Sequence, residues 1–452
     1  ADAALACARA GGMRWRVTVV FRGKFMTSTG SASADPSAFA SIGPLADLKV
    51  VDLTRILAGP SAAQLLGDLG ADVVKIERPG KGDDTRGWGP PFVQDAEGND
   101  TRESAYFLCA NRNKRSVAVD LASEEGQEII HRLVADADIV LENFKAGHLA
   151  RYRLDYASLS AINPRLVYCS ITGFGQTGPY ASYAGYDFMV QGMGGIMSVT
   201  GFSDEEGGRP TKIGVGIADL MCGMYAVSGI LSAIHVREHT GRGQHIDMAL
   251  FDSQIAWLAN QGLSYLTTGE VPGRLGNAHP TIVPYETFEA SDGEFIIACG
   301  NDGQFRKLMQ IAGREELADD PRFRTNRDRI ANRTALIPML NACTRERPAA
   351  AWITALEQAG VPCGPINTLD KVFSDPQAVH RGARITMPHP SAGSGTVDLI
   401  GNPIKMSETP VSYRRAPPRV GEHTREVLME ELGLSEDEFA RLSAAGVVGD
   451  VS

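Results

Sequence analysis

Cysteine is sparse and unpaired in this chain: seven are scattered over 452 residues, none in a C-x-x-C pair. That excludes a disulfide framework and a thiolate zinc site as organising devices, and a reducing compartment fits best. No run approaches the ~18 uninterrupted apolar residues of a membrane span. Positive charge is short as well, with 44 Lys and Arg against 54 Asp and Glu for a formal net charge of -10. A nucleic-acid or anionic-membrane partner is therefore not expected, although a local basic pocket for a phosphorylated ligand stays compatible with the total. Walker A, H-E-x-x-H and G-x-S-x-G motifs are missing, and no His/Cys cluster has metal-ligand spacing, so no metal is expected. What is present is ordinary enzyme composition, 43% hydrophobic and 22% charged, in a chain long enough for two or three domains.

Residues 1–42 stand apart, with Arg9, Arg14, Arg16, Arg22 and Lys24 against only Asp2 and Asp35, followed by a Ser/Ala-rich stretch. They read as a leader or disordered extension, and localisation is cytoplasmic unless they form a mitochondrial transit segment. From Leu48 strands and helices alternate: the apolar runs Leu48 to Leu53, Ala71 to Glu77, Asp138 to Leu141 and Arg165 to Thr172 read as strands. Ala58 opens a helix that Gly70 stops, and Ser123 caps another reaching about Ala135. This predicts an α/β fold, a Rossmann-like, mostly parallel sheet whose ligand lies beyond the carboxyl ends of its strands. The first part of that large domain spans 43–245, a linker helix 246–266, a smaller α+β domain 267–370, and a return segment 371–452 completes the large domain.

The stretch from Thr211 to Glu238 carries the strongest chemical signal. Ile213, Val215 and Ile217 alternate as in a strand, and Met221, Met224, Val227, Ile230, Leu231 and Ile234 recur at helical spacing. Asp219 then lies at a strand-to-helix corner. There it either caps the helix, worth about 1 kcal/mol, or stands ionised in the field of the helix N-terminus as a nucleophile.

Gly173 to Gly178 satisfies G-x-G-x-x-G, yet Pro179, Ser182 and Gly185 break the helix that a dinucleotide fingerprint must open, so a nicotinamide enzyme is rejected. Arg78, Arg112, Lys114, Arg115 and Arg151 fall at strand ends or in neighbouring loops. Each is a solvated surface charge when taken singly; together with Asn143 and Phe144 they form a set able to hold phosphates and stack an adenine. His279 follows Gly273-x-x-Gly276, a backbone suited to a flexible cover that donates N–H groups to an oxyanion.

Seven segments in order then carry a resemblance: Leu53 to Pro60, Val74 to Gly80, Asn111 to Ser116, Glu142 to Phe144, Ala184 to Asp187, Ala218-Asp219 and Thr240 to Gln244. From about residue 44 onward the chain resembles the class III CoA-transferases, the superfamily of formyl-CoA and carnitine CoA-transferases and α-methylacyl-CoA racemase. Gly82 to Arg86, Trp88 to Phe92 and Gly276 to Tyr285 resemble its succinyl-CoA:glutarate branch most. The resemblance implies Asp219 as nucleophile, CoA as co-substrate with no metal and no resident cofactor, and an interlocked homodimer. It also implies Arg78, Asn143, Phe144 and Arg151 as CoA contacts, with Arg112 and Arg115 beside them, and Tyr186, Asp187, Gly276 and His279 around the acid. For the second carboxyl of a dicarboxylate, Arg55 and Arg86 are the candidates. Formyl-CoA transferases carry glutamine where this chain has Leu57, which disfavours formate and oxalate. The racemase branch carries a His-Asp pair where this chain has Tyr186-Asp187, and a phenol of pKa about 10 is a poor second base.

Overall fold

A computed structural model of the protein describes residues 43–450; the leader or transit reading of residues 1–42 lies outside them. Six parallel strands form the main sheet: β1 (Lys49–Asp52), β2 (Asp72–Glu77), β5 (Lys114–Val119), β6 (Ile139–Glu142), β7 (Val167–Thr172) and β8 (His245–Ala249). A seventh, β14 (Val448–Gly449), pairs antiparallel with β5, and the spatial order is β14-β5-β2-β1-β6-β7-β8. A hairpin, β3 (Phe92–Gln94) and β4 (Asp100–Ser104), interrupts the alternation between β2 and β5. The chain builds outward from β1 to one side through β5, then returns to the other side with β6. Such a reversal opens a crevice at the carboxyl ends of β1 and β6.

The strands are nearly continuous apolar runs because both faces are covered. Along β1, Val50 packs with Ala62, Leu66 and Ile230 of α1 (Ala58–Asp68) and α4 (Ile217–Thr240). Its neighbour Val51 faces the opposite core, with Ile129 and Val134 of α2 (Glu124–Ala135) and with Val427, Leu428 and Phe439 from the C-terminal segment. α2 starts where Ser123 accepts a hydrogen bond from Gly126 N–H. α1 and α4 cross closely: a Cβ on Gly223 would lie 2.6 Å from the Ala58 carbonyl oxygen.

The C-terminal segment is fastened to the sheet by buried charge. Asp68 accepts from Arg112 Nε (2.9 Å) and Nη2 (2.6 Å), and from the amides of Asn113 and Asn402 (both 2.8 Å). Arg115 pairs with Asp72 (2.5 Å), Glu426 (3.1 Å) and Glu431. Both arginines were expected beside a ligand. They are instead internal fasteners, because each guanidinium nitrogen already donates to a carboxylate or carbonyl of the protein.

Residues between the main-sheet halves form a separate antiparallel sheet of β9 (Tyr285–Ala290), β10 (Gly293–Ala298) and β11 (Cys363–Pro365), order β11-β10-β9. It has its own core of Phe288, Phe295, Phe305, Leu336, Trp352 and Leu356. The helices Leu250–Ala256 and Ala259–Thr268 connect it to β8. Beyond it, the hairpin β12 (Arg384–Pro388) and β13 (Thr396–Ile400) packs on Leu108. The strand expected over Ile213 to Ile217 does not form. Gln191 takes its backbone groups, accepting from Ile213 N–H (2.9 Å), and Gly214 and Gly216 carry no side chain to pack on a sheet.

Candidate active site

Strand ends define a cleft of about 560 Å³. Leu53 and Arg55 follow β1, Glu77 and Arg78 end and follow β2, Val119 and Asp120 close β5, Asn143 and Phe144 follow β6, and Thr172 and Gly173 close β7. Tyr183, Ala184, Gly185, Tyr186 and the carboxylate-bearing Asp219 complete the wall.

Asp219 is the third residue of α4, within its first turn rather than at its cap, and Gly216 occupies the cap without a side-chain hydrogen bond. The capping duty falls to Asp187, at the start of α3 (Asp187–Met193): it accepts from Ala218 N–H (2.8 Å) and from Gln191 Nε2 (2.7 Å). Capping therefore does not explain Asp219, whose carboxylate takes no hydrogen bond from any described residue. Burial first, and the Asp187 charge second, push its pKa from the ordinary 3.8 up to about 7. Ionisation by the helix field was one of the two readings open at this position; desolvation and a like charge act in the opposite direction. The result is a carboxylate that gains its charge near neutrality and has no cation among the described residues to neutralise it, the environment a nucleophilic carboxylate requires.

A clamp of backbone and buried charge fixes the β1 end. Asn143 Oδ1 accepts from Arg55 N–H (2.9 Å) while Asn143 Nδ2 donates to the Arg55 carbonyl (2.6 Å), tying the ends of β1 and β6 together. Ile56 has φ +74°, a conformation strongly disfavoured for a β-branched residue. Asp83 holds it by accepting from Ile56 N–H (3.3 Å), and Lys75, fully buried beneath, links Asp83 (2.9 Å) to the Thr54 carbonyl (2.8 Å). The turn delivers Leu57 and Ala58 to the cleft at the start of α1, where no side chain caps the first N–H groups.

The predicted ligand residues divide. Phe144 lies on the wall, stacked on His148 (5.7 Å, 13° between planes), its N–H held by Glu142 (2.8 Å). Arg78 is exposed on the rim and makes no ion pair with any described residue; Lys145 lines the cleft nearby. Arg151 is exposed, its guanidinium over the Tyr152 ring (4.5 Å) next to the cleft. Tyr186 lines the cleft at 63% exposure. Arg86, expected to receive a substrate carboxylate, is 3% exposed and fully engaged: Glu77 at 2.9 and 2.7 Å, Glu103 at 2.7 Å, and the Pro418 carbonyl at 2.8 Å. It is a structural cation, sealed because two carboxylates already fill its fork.

Gly276 and His279 are not part of this cleft. Gly276 N–H donates to the Gly201 carbonyl (2.9 Å), and His279 rests on Tyr285 (5.2 Å between rings) at the edge of the small sheet. Sequence reasoning missed Tyr106, whose phenol burial and the nearby Asp219 charge push up to about 12, and which packs edge-on against Trp88 (5.1 Å). The Lys75–Asp83 pair went unnoticed too, although Lys75 in the middle of an apolar strand was a visible signal. Among the described residues no group of three or more His, Cys, Asp or Glu side chains is arranged to hold a metal.

The model of CoA-transferase family III matches residues 45–424. The chain is a family III CoA-transferase. It is 50% identical over 388 residues to the succinate–glutarate CoA-transferase of Agrobacterium fabrum, covering 86% of this chain and 95% of that protein. The succinyl-CoA:glutarate CoA-transferase of Homo sapiens is 41% identical over 408 residues, 90% of each chain. Among solved structures, a CAIB/BAIF family protein from Brucella suis is 52% identical and superposes with a TM-score of 0.76 over 86% of this chain and all of that one. With the family in place, CoA is the co-substrate.

Proposed function

We propose that this CoA-transferase moves CoA from succinyl-CoA to glutarate, with Asp219 as the nucleophile. The observation that carries the reading is Asp219 itself, a carboxylate without a hydrogen-bonding partner among the described residues, in a cleft lined by Arg55, Asn143, Phe144 and the start of α1. The 50% identity to a succinate–glutarate CoA-transferase supports the choice of acids.

In this reading a carboxylate oxygen of Asp219 attacks the thioester carbonyl carbon, the C–S bond breaks, and a mixed anhydride and CoA thiolate form. The thiolate attacks the aspartyl carbonyl; the C–O bond breaks, releasing succinate and leaving an aspartyl-CoA thioester. Glutarate then attacks that thioester, and the freed thiolate takes the glutaryl group from the new anhydride, restoring Asp219. Each tetrahedral oxyanion needs N–H donors, which the uncapped first turn of α1 supplies. Arg78, Lys145 and Arg151 hold the phosphates, and Phe144 stacks the adenine. Arg55 takes the distal carboxylate of the acid.

The active unit is an interlocked homodimer. Support comes from the apolar residues left exposed on α3 and the connecting helices, Phe188 at 61%, Leu263 at 60% and Leu266 at 75%. Gly276 and His279 act across the subunit boundary, closing the partner's cleft and excluding the water that would hydrolyse the anhydride.

The test is succinyl-CoA mixed with free glutarate, followed by hydroxylamine. Glutaryl-CoA forms and Asp219 is labelled as the hydroxamate; Asp219→Asn gives neither. Scrambling of a 2-methylacyl-CoA stereocentre without CoA transfer would instead make the enzyme a racemase.

A further inference from the structure

Arg55 is anchored at its backbone and exchangeable at its head. Asn143 grips both its N–H and its carbonyl (2.9 and 2.6 Å), and the following residue is pinned at positive φ. Its guanidinium lies at the cleft beside Phe144 (5.4 Å), with Nη1 paired to Asp84 Oδ2 at 2.7 Å and Nε buried without a hydrogen-bond partner among the described residues. Both partners of that ion pair are about two-fifths exposed, 39% for Arg55 and 43% for Asp84. Its neighbour Asp83 is the residue that caps the turn Asp84–Gly87, accepting from Thr85 N–H, and Asp84 has no such duty.

We infer that Asp84 is a built-in competitor for the substrate: its carboxylate occupies Arg55 in the free enzyme and leaves when the distal carboxylate of the acceptor arrives. The inference rests on Arg55 being the receptor for that carboxylate. The chemistry is the same on both sides of the exchange, one carboxylate replacing another on one guanidinium. The incoming acid can take Nη1 and Nη2 together, end-on, so a fork that now uses one corner for Asp84 becomes bidentate. An ion pair this exposed is weak enough to yield at ordinary substrate concentrations. Asp84 thereby sets a threshold: an acid with only one carboxyl cannot repay the displacement, so the pair discriminates in favour of dicarboxylates.

The experiment compares Asp84→Asn, Asp84→Glu and Arg55→Lys in the full-length enzyme, with KM measured separately for glutarate and for succinyl-CoA. Asp84→Asn lowers the KM for glutarate about 2- to 5-fold, the range an exposed ion pair allows, and shifts the KM for succinyl-CoA, whose succinyl group carries one free carboxylate of its own, by no more than that. Asp84→Glu, which keeps the charge, does not lower the KM for glutarate. Arg55→Lys raises the KM for glutarate at least tenfold. If Asp84→Asn leaves the KM for glutarate unchanged or raises it while Arg55→Lys still loses glutarate, the competitor inference fails and the role of Arg55 survives. If Asp84→Asn lowers only the KM for succinyl-CoA, Arg55 serves a CoA phosphate and the inference is overturned. If Arg55→Lys binds glutarate as well as the wild type, the receptor assignment itself is wrong.

Discussion

Asparagine in place of Asp187 should move the acid limb of the pH–rate profile to lower pH. In the proposed reaction Asp219 must be ionised to attack, and in the folded protein its pKa stands at about 7 instead of 3.8, with burial the larger cause and Asp187 the second. Removing the smaller cause accounts for less than half of that rise, about 1 pKa unit, within what Coulomb repulsion across a partly solvated site supplies. At pH 6 the ionised fraction of Asp219 then climbs from about one tenth to about one half, so kcat/KM gains about fivefold, while at pH 8 the two enzymes differ by less than twofold. The substitution keeps an oxygen for Ala218 N–H and loses the acceptor for Gln191, at a stability cost of about 1 kcal/mol. Initial rates of glutaryl-CoA formation at subsaturating succinyl-CoA, from pH 5 to 9, give the limb directly. An unmoved limb, or one displaced to higher pH, refutes the electrostatic link between the two carboxylates.

The same raised carboxyl predicts a stability effect. A group whose folded pKa exceeds its unfolded value stabilises the fold at low pH and loses that contribution as pH rises through about 7, so Asp219→Asn melts about 2 to 4 °C higher than wild type at pH 8, with the gap closing towards pH 4. Arg86→Met strands Glu77 and Glu103 in the interior and destabilises by about 3 to 5 kcal/mol, read as a fall in denaturation midpoint. Were Arg86 a substrate contact, the same variant would fold normally and lose only affinity for the acid. Gly223→Val, whose Cβ meets the Ala58 carbonyl at 2.6 Å, pushes α4 off α1 and lowers kcat at least tenfold, with a smaller change in the KM for succinyl-CoA; equal losses in both would place the damage elsewhere.

Much of the sheet was legible because its strands are buried on both faces and so read as unbroken apolar runs; β1, β2, β6 and β7 fall within two residues of expectation. Asp219 was legible for a partly mistaken reason. The segment before it looked like a strand by alternation alone, but alternation cannot reveal that Gln191, twenty-two residues earlier, would claim the backbone groups a sheet needs. The arginines show the deeper limit. In sequence Arg55, Arg78, Arg86, Arg112 and Arg115 are equivalent cations near strand ends, and position offers no way to rank them. What separates them is whether a carboxylate distant in sequence closes over each: Glu103 and Glu77 over Arg86, Asp68 over Arg112, Asp72 and Glu426 over Arg115. Arg78 escapes, and Arg55 is held only by a residue that solvent already reaches. A buried ion pair removes a cation from chemistry by making its release expensive, whereas an exposed one leaves it available. Candidate functional cations in this fold are therefore singled out by what fails to bury them, a property of tertiary contacts. The same logic applies to the proposed nucleophile, Asp219, which has no cation beside it among the described residues while seven charged residues, from Asp52 to Lys114, are paired off beneath the cleft.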